Sequence, residues 1–422
     1  MTAFHLSARA QDFVRQFEAA DQAVATELLR NLRLVSQEEI TAGLRELILE
    51  RARRGDGPVG LYAERELRQR LGRPHRIFEQ PRSGVARAEG SGPLAVSPLR
   101  RYDQDVGSEG PIAQVIAQLC RQHRSLFISH PGPDQIRAKK VRRFFLVTDL
   151  VGSGTRAWKY IEAAWRVRSV RSWWSFGYLR FEVIAFSATQ KGTARIESHN
   201  SRPNVYCQVP CPTIQNTFSE PMSAAVSELC INYDPKGRDP VESLGYDGTG
   251  ALLIFANGAP NNVPRLLFAT NRSRDWTPLF PQRVAADIPA EHFGRRFSAE
   301  EIERRLTQMR QRVLASSPAI SRASLSTQQF LLLLAATTRA PRTVESIARR
   351  SGLTVTEVNQ LGARLRQFHW LTPEWRPTDA GLRQLEHARN VARQLQRRRR
   401  TARPDDDHEY YPQSLRAPVT GI

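Results

Sequence analysis

One stretch constrains the fold more than any other: residues 144–165, FFLVTDLVGSGTRAWKYIEAAW. An apolar, partly β-branched run ends in Thr148 and Asp149. Gly152, Ser153, Gly154 and Thr155 follow, and then a segment with helical spacing at Trp158, Ile161 and Trp165, which reads as a packing stripe. A second apolar run, RFEVIAFSAT, begins at Arg180. Strand, helix and strand in this order require a parallel pair joined by a crossover. VGLYA (59–63), NVYCQVP (204–210) and GALLIF (250–255) supply further strands. The expected fold class is therefore α/β with a parallel sheet core over residues 56–290.

The small-residue loop carries the chemistry. Backbone N–H groups at a helix start are unpaired and sit at the positive end of the helix dipole, so they bind anions. Glycines let a phosphate approach the backbone, and hydroxyls add donors. Asp149 stands at the carboxyl end of its strand, where open α/β sheets bind ligands. A carboxylate there suits ribose hydroxyls or a hydrated Mg²⁺. A Walker A loop ends in Gly-Lys-Ser/Thr, whereas this one ends in Gly154, Thr155 and Arg156. A dinucleotide fingerprint would put an acid at the end of the next strand, and RFEVIAFSAT has none there. A loop for a ribose 5-phosphate fits best.

The chain has 422 residues, a formal charge of +20 and a pI near 10.8. Such an excess calls for a polyanionic partner, nucleic acid above all, although arginine-rich coding accounts for part of it. Cys120, Cys207, Cys211 and Cys230 form no Cys-x-x-Cys pairs, so no zinc or other metal site is expected and buried thiols are. The longest apolar run, FLLLLAA at 330–336, is too short to span a membrane, and a cytoplasmic setting is expected.

The loop resembles the phosphoribosyl-diphosphate loop of the phosphoribosyltransferase superfamily. It resembles more closely the phosphoribosyltransferase-like proteins of bacterial conflict, or anti-phage, systems, some of them encoded with retrons beside a reverse transcriptase. FEAADQAVATELLRNLRLVSQEEITAGL is similar to that family's helical lead-in, and GSEGPIAQVI to its glycine turn and helix. LGYDGTGALLIFANGAPNNVPRLLFATNRSRDWTPLFPQR is similar to its closing strand, Pro-Asn-Asn turn and Arg-terminated end. The resemblance implies that Asp149 holds the ribose, that Gly152, Ser153, Gly154 and Thr155 cradle the 5′-phosphate with Arg156 beside them, and that Glu64 and Arg65 belong to a second, diphosphate-side loop. Mg²⁺ would accompany a phosphoribosyl or nucleotide ligand. The sequence departs from the catalytic pattern at Thr148, where the superfamily has an acid, and at Arg156, where it has a hydroxyl. Transferase or nucleotide-degrading activity therefore stays open, and no catalytic residue is assigned.

Residues 325–389 read as helices around an SGLT turn, then WLTPEWRPTDAGL, which resembles the wing of a winged helix-turn-helix domain. Such domains usually place their third helix in the DNA major groove. Here that helix carries Thr356, Asn359, Gln360, Arg364 and Arg366, with Arg376 on the wing. Residues 323–403 hold 15 Arg against 5 acids, half of the chain's excess charge. Arg397, Arg398, Arg399 and Arg400 would meet phosphates without regard to sequence, and Asp405 to Asp407 could fold back on them.

The expected division is an N-terminal helical segment (1–55), the α/β domain (56–290), a connecting helix (291–322), the winged helix (323–396) and a basic then acidic disordered tail (397–422). Two functions remain. One is a defence effector that binds a phosphorylated ribose and, through its winged helix, DNA, an RNA–DNA hybrid or a reverse transcriptase complex. The other is a non-enzymatic, nucleotide-sensing transcriptional regulator. Purine-responsive repressors of that kind usually carry the winged helix first. No membrane contact is expected, and the oligomeric state is open.

Overall fold

A computed structural model describes residues 4–81, 87–93, 109–271, 276–285, 287–289, 292–293, 299–317, 320, 323 and 325–401. The chain separates into two compact units. The first is Met1–Arg296 with Val344–Arg349 and Leu353–Asn359. The second is Phe297–Thr343 with Arg350–Gly352 and Gln360–Ile422.

In the first unit the strands are β1 (Arg33–Val35), β2 (Val59–Ala63), β3 (Gln69–Arg70), β4 (Arg73–Pro74), β5 (Phe127–Ser129), β6 (Arg143–Val151), β7 (Arg180–Ala188), β8 (Asn204–Pro210) and β9 (Leu253–Phe255). Five of them form one sheet in the order β5-β2-β6-β7-β8, every pairing parallel. The expected crossover holds: the helix Thr155–Trp165 leads from β6 towards β7, with Phe144 opposite Phe181. The closing strand β9 pairs in parallel with β1, a three-residue strand inside the lead-in that had read as helix throughout.

Successive side chains on a strand face opposite sides, and β6 and β7 show it. Phe145, Val147, Ile184 and Phe186 join Ile40, Leu44, Leu47 and Ile48 of the helix Gln37–Arg53 in one core. Phe144, Leu146, Val183 and Ala185 join the helix Thr155–Trp165 in the other. Both strands are covered on both faces, which is why they read as unbroken apolar runs. The inward stripe of Thr155–Trp165 is Ala157, Tyr160, Ile161 and Ala164. Ile161 is in it as expected and Trp165 packs half-buried against the same core; Trp158 and Trp165 also flank His199, at 5.2 and 5.9 Å between ring centroids. Small alanines let the helix lie close on the sheet; two indoles there would hold it off. Ser36 caps the helix Gln37–Arg53, its hydroxyl accepting from the Glu39 amide at 3.1 Å. Cys211 and Cys230 are buried and all four cysteines are free thiols.

The second unit holds the helices Ala299–Gln308, Arg312–Ala315, Leu325–Thr337 and Asp379–Thr401. The helices Val344–Ser351 and Val355–Gln367 are divided between the two units. Gly352 takes the left-handed conformation (φ 78°) that ends a helix where expected. The wing is a bridge between Leu371 and Pro377, and the Trp375 ring lies where a Cβ on Gly362 would sit, 2.4 Å from it. The last helix continues through Thr401, so Arg397 to Arg400 are helical rather than part of a disordered tail. Asp405 to Asp407 lie outside the described residues. No described helix is long and apolar enough to cross a membrane.

At the amino ends of β6 and β7, Arg143 grips Glu182 with two hydrogen bonds of 2.7 and 3.0 Å, both groups buried. Its other nitrogen donates to the Arg51 carbonyl at 2.8 Å. Arg143→Met would leave the Glu182 carboxylate buried with only Arg51 at 3.7 Å. Urea denaturation should then show a loss of about 3 kcal/mol, most of it recovered in Arg143→Met/Glu182→Met.

Candidate functional site

The carboxyl ends of β2 and β6 bring the candidate residues together. Glu64, next after β2, is 3% exposed, and its amide donates to the Val147 carbonyl of β6 at 2.9 Å. Thr148, fully buried, donates its hydroxyl to Glu64 Oε2 at 2.6 Å. The same oxygen takes Arg156 Nε and Nη2, each at 2.8 Å. Arg156 Nη2 lies 3.9 Å from Asp149 Oδ1, which accepts the Leu150 amide at 2.7 Å. A buried carboxylate is costly without partners; here a hydroxyl and a guanidinium supply them. The acid missing from position 148 is thus present in space: Glu64, from the neighbouring strand, meets the threonine that stands in the acid's place.

Asp149 borders a small cleft lined also by Gln37, Thr41, Pro111 and Asn257. Beyond it the loop turns tightly. Gly154 has φ 75°, and a Cβ there would come within 2.4 Å of the Gly192 carbonyl. A Cβ on Gly152 would meet the Asn262 amide at 2.3 Å. Ser153 is buried and its hydroxyl donates to Thr155 Oγ1 at 3.0 Å; Thr155 is half-buried and Arg156 reaches the surface. Among the described residues no hydrogen bond is made to the amides of Gly152, Ser153 or Gly154. The carbonyl of Gly152 accepts the Thr189 hydroxyl at 2.5 Å, and that hydroxyl in turn accepts the Gly192 amide, capping the next helix. The loop is thus clamped by two other segments with its donors left over, which is the arrangement an anion needs.

Glu109 and His130 complete the surroundings. The Glu109 carboxylate accepts the Glu66 amide at 3.3 Å. Burial pushes its pKa up against the pull of that amide and of Arg156 and Arg65. The pair Glu64 and Asp149 keeps Arg156 firmly protonated. His130 Nε2 accepts the Ala63 amide at 3.0 Å, and burial, helped by Arg65, lowers its pKa to about 4. It is held neutral and its acceptor nitrogen is occupied, so it offers no base to the site. No three His, Cys, Asp or Glu side chains converge as a metal cage among the described residues. With a guanidinium already beside both carboxylates, the protein groups alone do not fit a divalent cation.

The structure brings Glu64, Asp149 and Arg156 together, sets the turn Gly152 to Thr155 beside them, and leaves Arg65 half-buried, its charge felt at His130. Asn262, Thr189 and His130 were not assigned roles in advance. Asn262 lies in the Pro-Asn-Asn turn that carried the resemblance, so a signal existed; Thr189 and His130 are brought near only by the fold. On the helix Val355–Gln367, Thr356 is buried and clusters with the first unit, its hydroxyl donating to Gln208 at 2.9 Å, so that side chain is withdrawn from any groove. Asn359 is half-buried, while Gln360, Arg364 and Arg376 are exposed. Arg364 lies over the Phe330 ring and Arg366 over that of Trp375. Arg397 to Arg400 lie in the last helix.

A five-stranded parallel sheet with a small-residue turn and acid at the end of its middle strand, joined to a winged helix, defines the phosphoribosyltransferase-like class. The model of the PRTase-CE family matches residues 10–282, and that of the wHTH-PRTase associated family matches residues 331–417. The chain belongs to the PRTase-CE family. None of the curated proteins and none of the solved structures matches it.

Because a depressed histidine pKa favours folding above the unfolded value of about 6.5, the contribution of His130 is present at neutral pH and drains away as pH falls towards 4. Urea midpoints should fall between pH 7 and pH 5, and His130→Asn, which tolerates the positive φ of 46° at this position, should flatten that dependence. Gly154→Ala should lower the thermal midpoint and leave the helical circular dichroism intact, since it strains the turn and not the sheet.

Proposed function

We propose that the first unit binds a phosphorylated ribose at the carboxyl end of β6, as the ligand-binding arm of a bacterial defence effector. The winged helix would recruit nucleic acid. The observation that carries this reading is the meeting of Glu64, Thr148, Asp149 and Arg156 with a loop whose amides are left unspent. Asp149 would accept from the ribose hydroxyls. The amides of Gly152 to Gly154 and the Thr155 hydroxyl would take the 5′-phosphate, and Arg156 would add charge to the phosphate side. Mg²⁺ would arrive only on the oxygens of a diphosphate. DNA, or the RNA–DNA product of a retron with its reverse transcriptase, is the polyanion suited to the exposed arginines of the winged helix.

Ribosyl transfer needs a base or an activated leaving group. Thr148 is spent on Glu64, and His130 is neutral and engaged. These two observations favour a second reading, in which nucleotide binding alone switches a DNA-binding regulator. The two differ in consequence: an effector arrests growth in cells when triggered, and a regulator changes transcription.

Calorimetry on the full chain with 5-phosphoribosyl 1-diphosphate and with ribose 5-phosphate tests the site. Asp149→Asn should weaken binding roughly 10- to 100-fold, the worth of hydrogen bonds to a charged group, with an unchanged thermal midpoint. If neither ligand gives heat, or the variant binds as the wild type does, the site is misassigned.

A further inference from the structure

The opposite edge of the same sheet carries a surface the sugar-phosphate reading does not use. Between Glu162 and Glu182 the sequence holds no acid, four arginines and the aromatics of WWSFGY. There the helix Arg168–Ser175 ends in a turn, Phe176-Gly177-Tyr178, with Gly177 at φ 74°. Phe176 is 70% exposed and Tyr178 59%, and their rings stack 24° from parallel with centroids 6.0 Å apart. Leaving two large rings in water forgoes the stabilisation their burial would bring, so an exposed stacked pair needs a reason.

The cations around the rings supply one. Arg180 Nη2 lies 3.6 Å from where a Gly177 Cβ would be, directly between the rings' parent residues. The Arg180 amide donates to the Arg142 carbonyl, which places Arg142 alongside. Arg168 and Arg171 share the exposed face of the helix that leads to the turn, and Arg142 and Arg180 are exposed as well. The nearest acid in the strand, Glu182, is buried on Arg143 and neutralised. The segment between Glu162 and Glu182 offers the rings only basic and aromatic neighbours of its own, and the acids nearest in space lie to the sides, with Asp56 next to the Gly57 that Arg142 packs on and Asp134 held by Arg137.

We propose that Phe176 and Tyr178, flanked by Arg142, Arg171 and Arg180, form a stacking platform for single-stranded nucleic acid at the amino edge of the sheet. Bases would stack on the rings, which takes any sequence because every base has a π face, while the arginines would follow the phosphates. With nine-residue strands between them, the platform and the sugar-phosphate loop stand roughly 25–30 Å apart. A strand can therefore be held without blocking the loop.

The test is fluorescence anisotropy of a labelled oligothymidylate of about 16 nucleotides on the full chain. The expected results are binding by the wild type, at least a tenfold loss in Phe176→Ala/Tyr178→Ala, and retention in Phe176→Trp. The slope of log affinity against log salt should fall by about 2 in Arg142→Gln/Arg171→Gln/Arg180→Gln. Duplex DNA of the same length should be bound equally by the wild type and the double alanine variant. The platform is overturned if the wild type does not bind the oligonucleotide, or if the double alanine variant binds it unchanged. It is also overturned if duplex binding falls in parallel, or if the variant only turns a dimer into a monomer in sedimentation. Both rings are exposed, so the variants should keep the wild-type thermal midpoint, and this control separates lost contacts from lost structure.

Discussion

A single buried carboxylate organises the carboxyl ends of β2 and β6. Glu64 follows directly on β2 and accepts from Thr148 on β6 and from Arg156 on the helix after β6, so one oxygen ties together two strands and the helix that leaves the second of them. Removing water from a carboxylate costs several kcal/mol unless charge and hydrogen bonds replace it, which is why neither the strand register nor the entry angle of the helix can drift far. The loop between Asp149 and Arg156 inherits that rigidity. Its amides are aimed because the elements on either side of it are fixed.

The parallel core was legible because β6 and β7 are buried on both faces and leave continuous apolar runs, and because a crossover has one allowed hand. The loop was legible from its small residues and its acid. What the sequence hid is mostly partnership across long separations. Thr148 reads as a lost acid until β2 is seen beside β6, with Glu64 84 residues away in the chain. β1 and β5 are three residues long, too short to show a period. Trp158 has the helical spacing of a core residue, yet the sheet takes Ala157 and Ala164, Trp165 packs only at the margin of that core, and both indoles settle on His199. In the winged helix the turn glycine was evident, but the burial of Thr356 depends on Gln208 and could not be read from a helical wheel.

The charge of the chain also gains meaning from position. A uniform excess of arginine would be explained by coding habit. The side chains are distributed otherwise: Arg143 and Arg156 serve buried carboxylates, Arg364 and Arg366 lie over aromatic rings, and Arg142, Arg171 and Arg180 face water around two exposed ones. The first set holds the fold, and among the described residues no ion pair is made by the last set. Structural arginines at one edge of the sheet and solvent-facing ones beside them are separated by a single residue of sequence, Arg142 and Arg143, through the alternation of a strand.

Asn262 packs where a side chain on Gly152 would be, and Gly192 does the same for Gly154. Chain synthesis runs from the amino terminus, so the turn leaves the ribosome more than a hundred residues before the asparagine that braces it. A nascent chain therefore has its glycine turn in hand but unbraced until late in translation. A product that stops short of residue 262 would have the strand, the acid and the glycines but not the side chain that sets their turn.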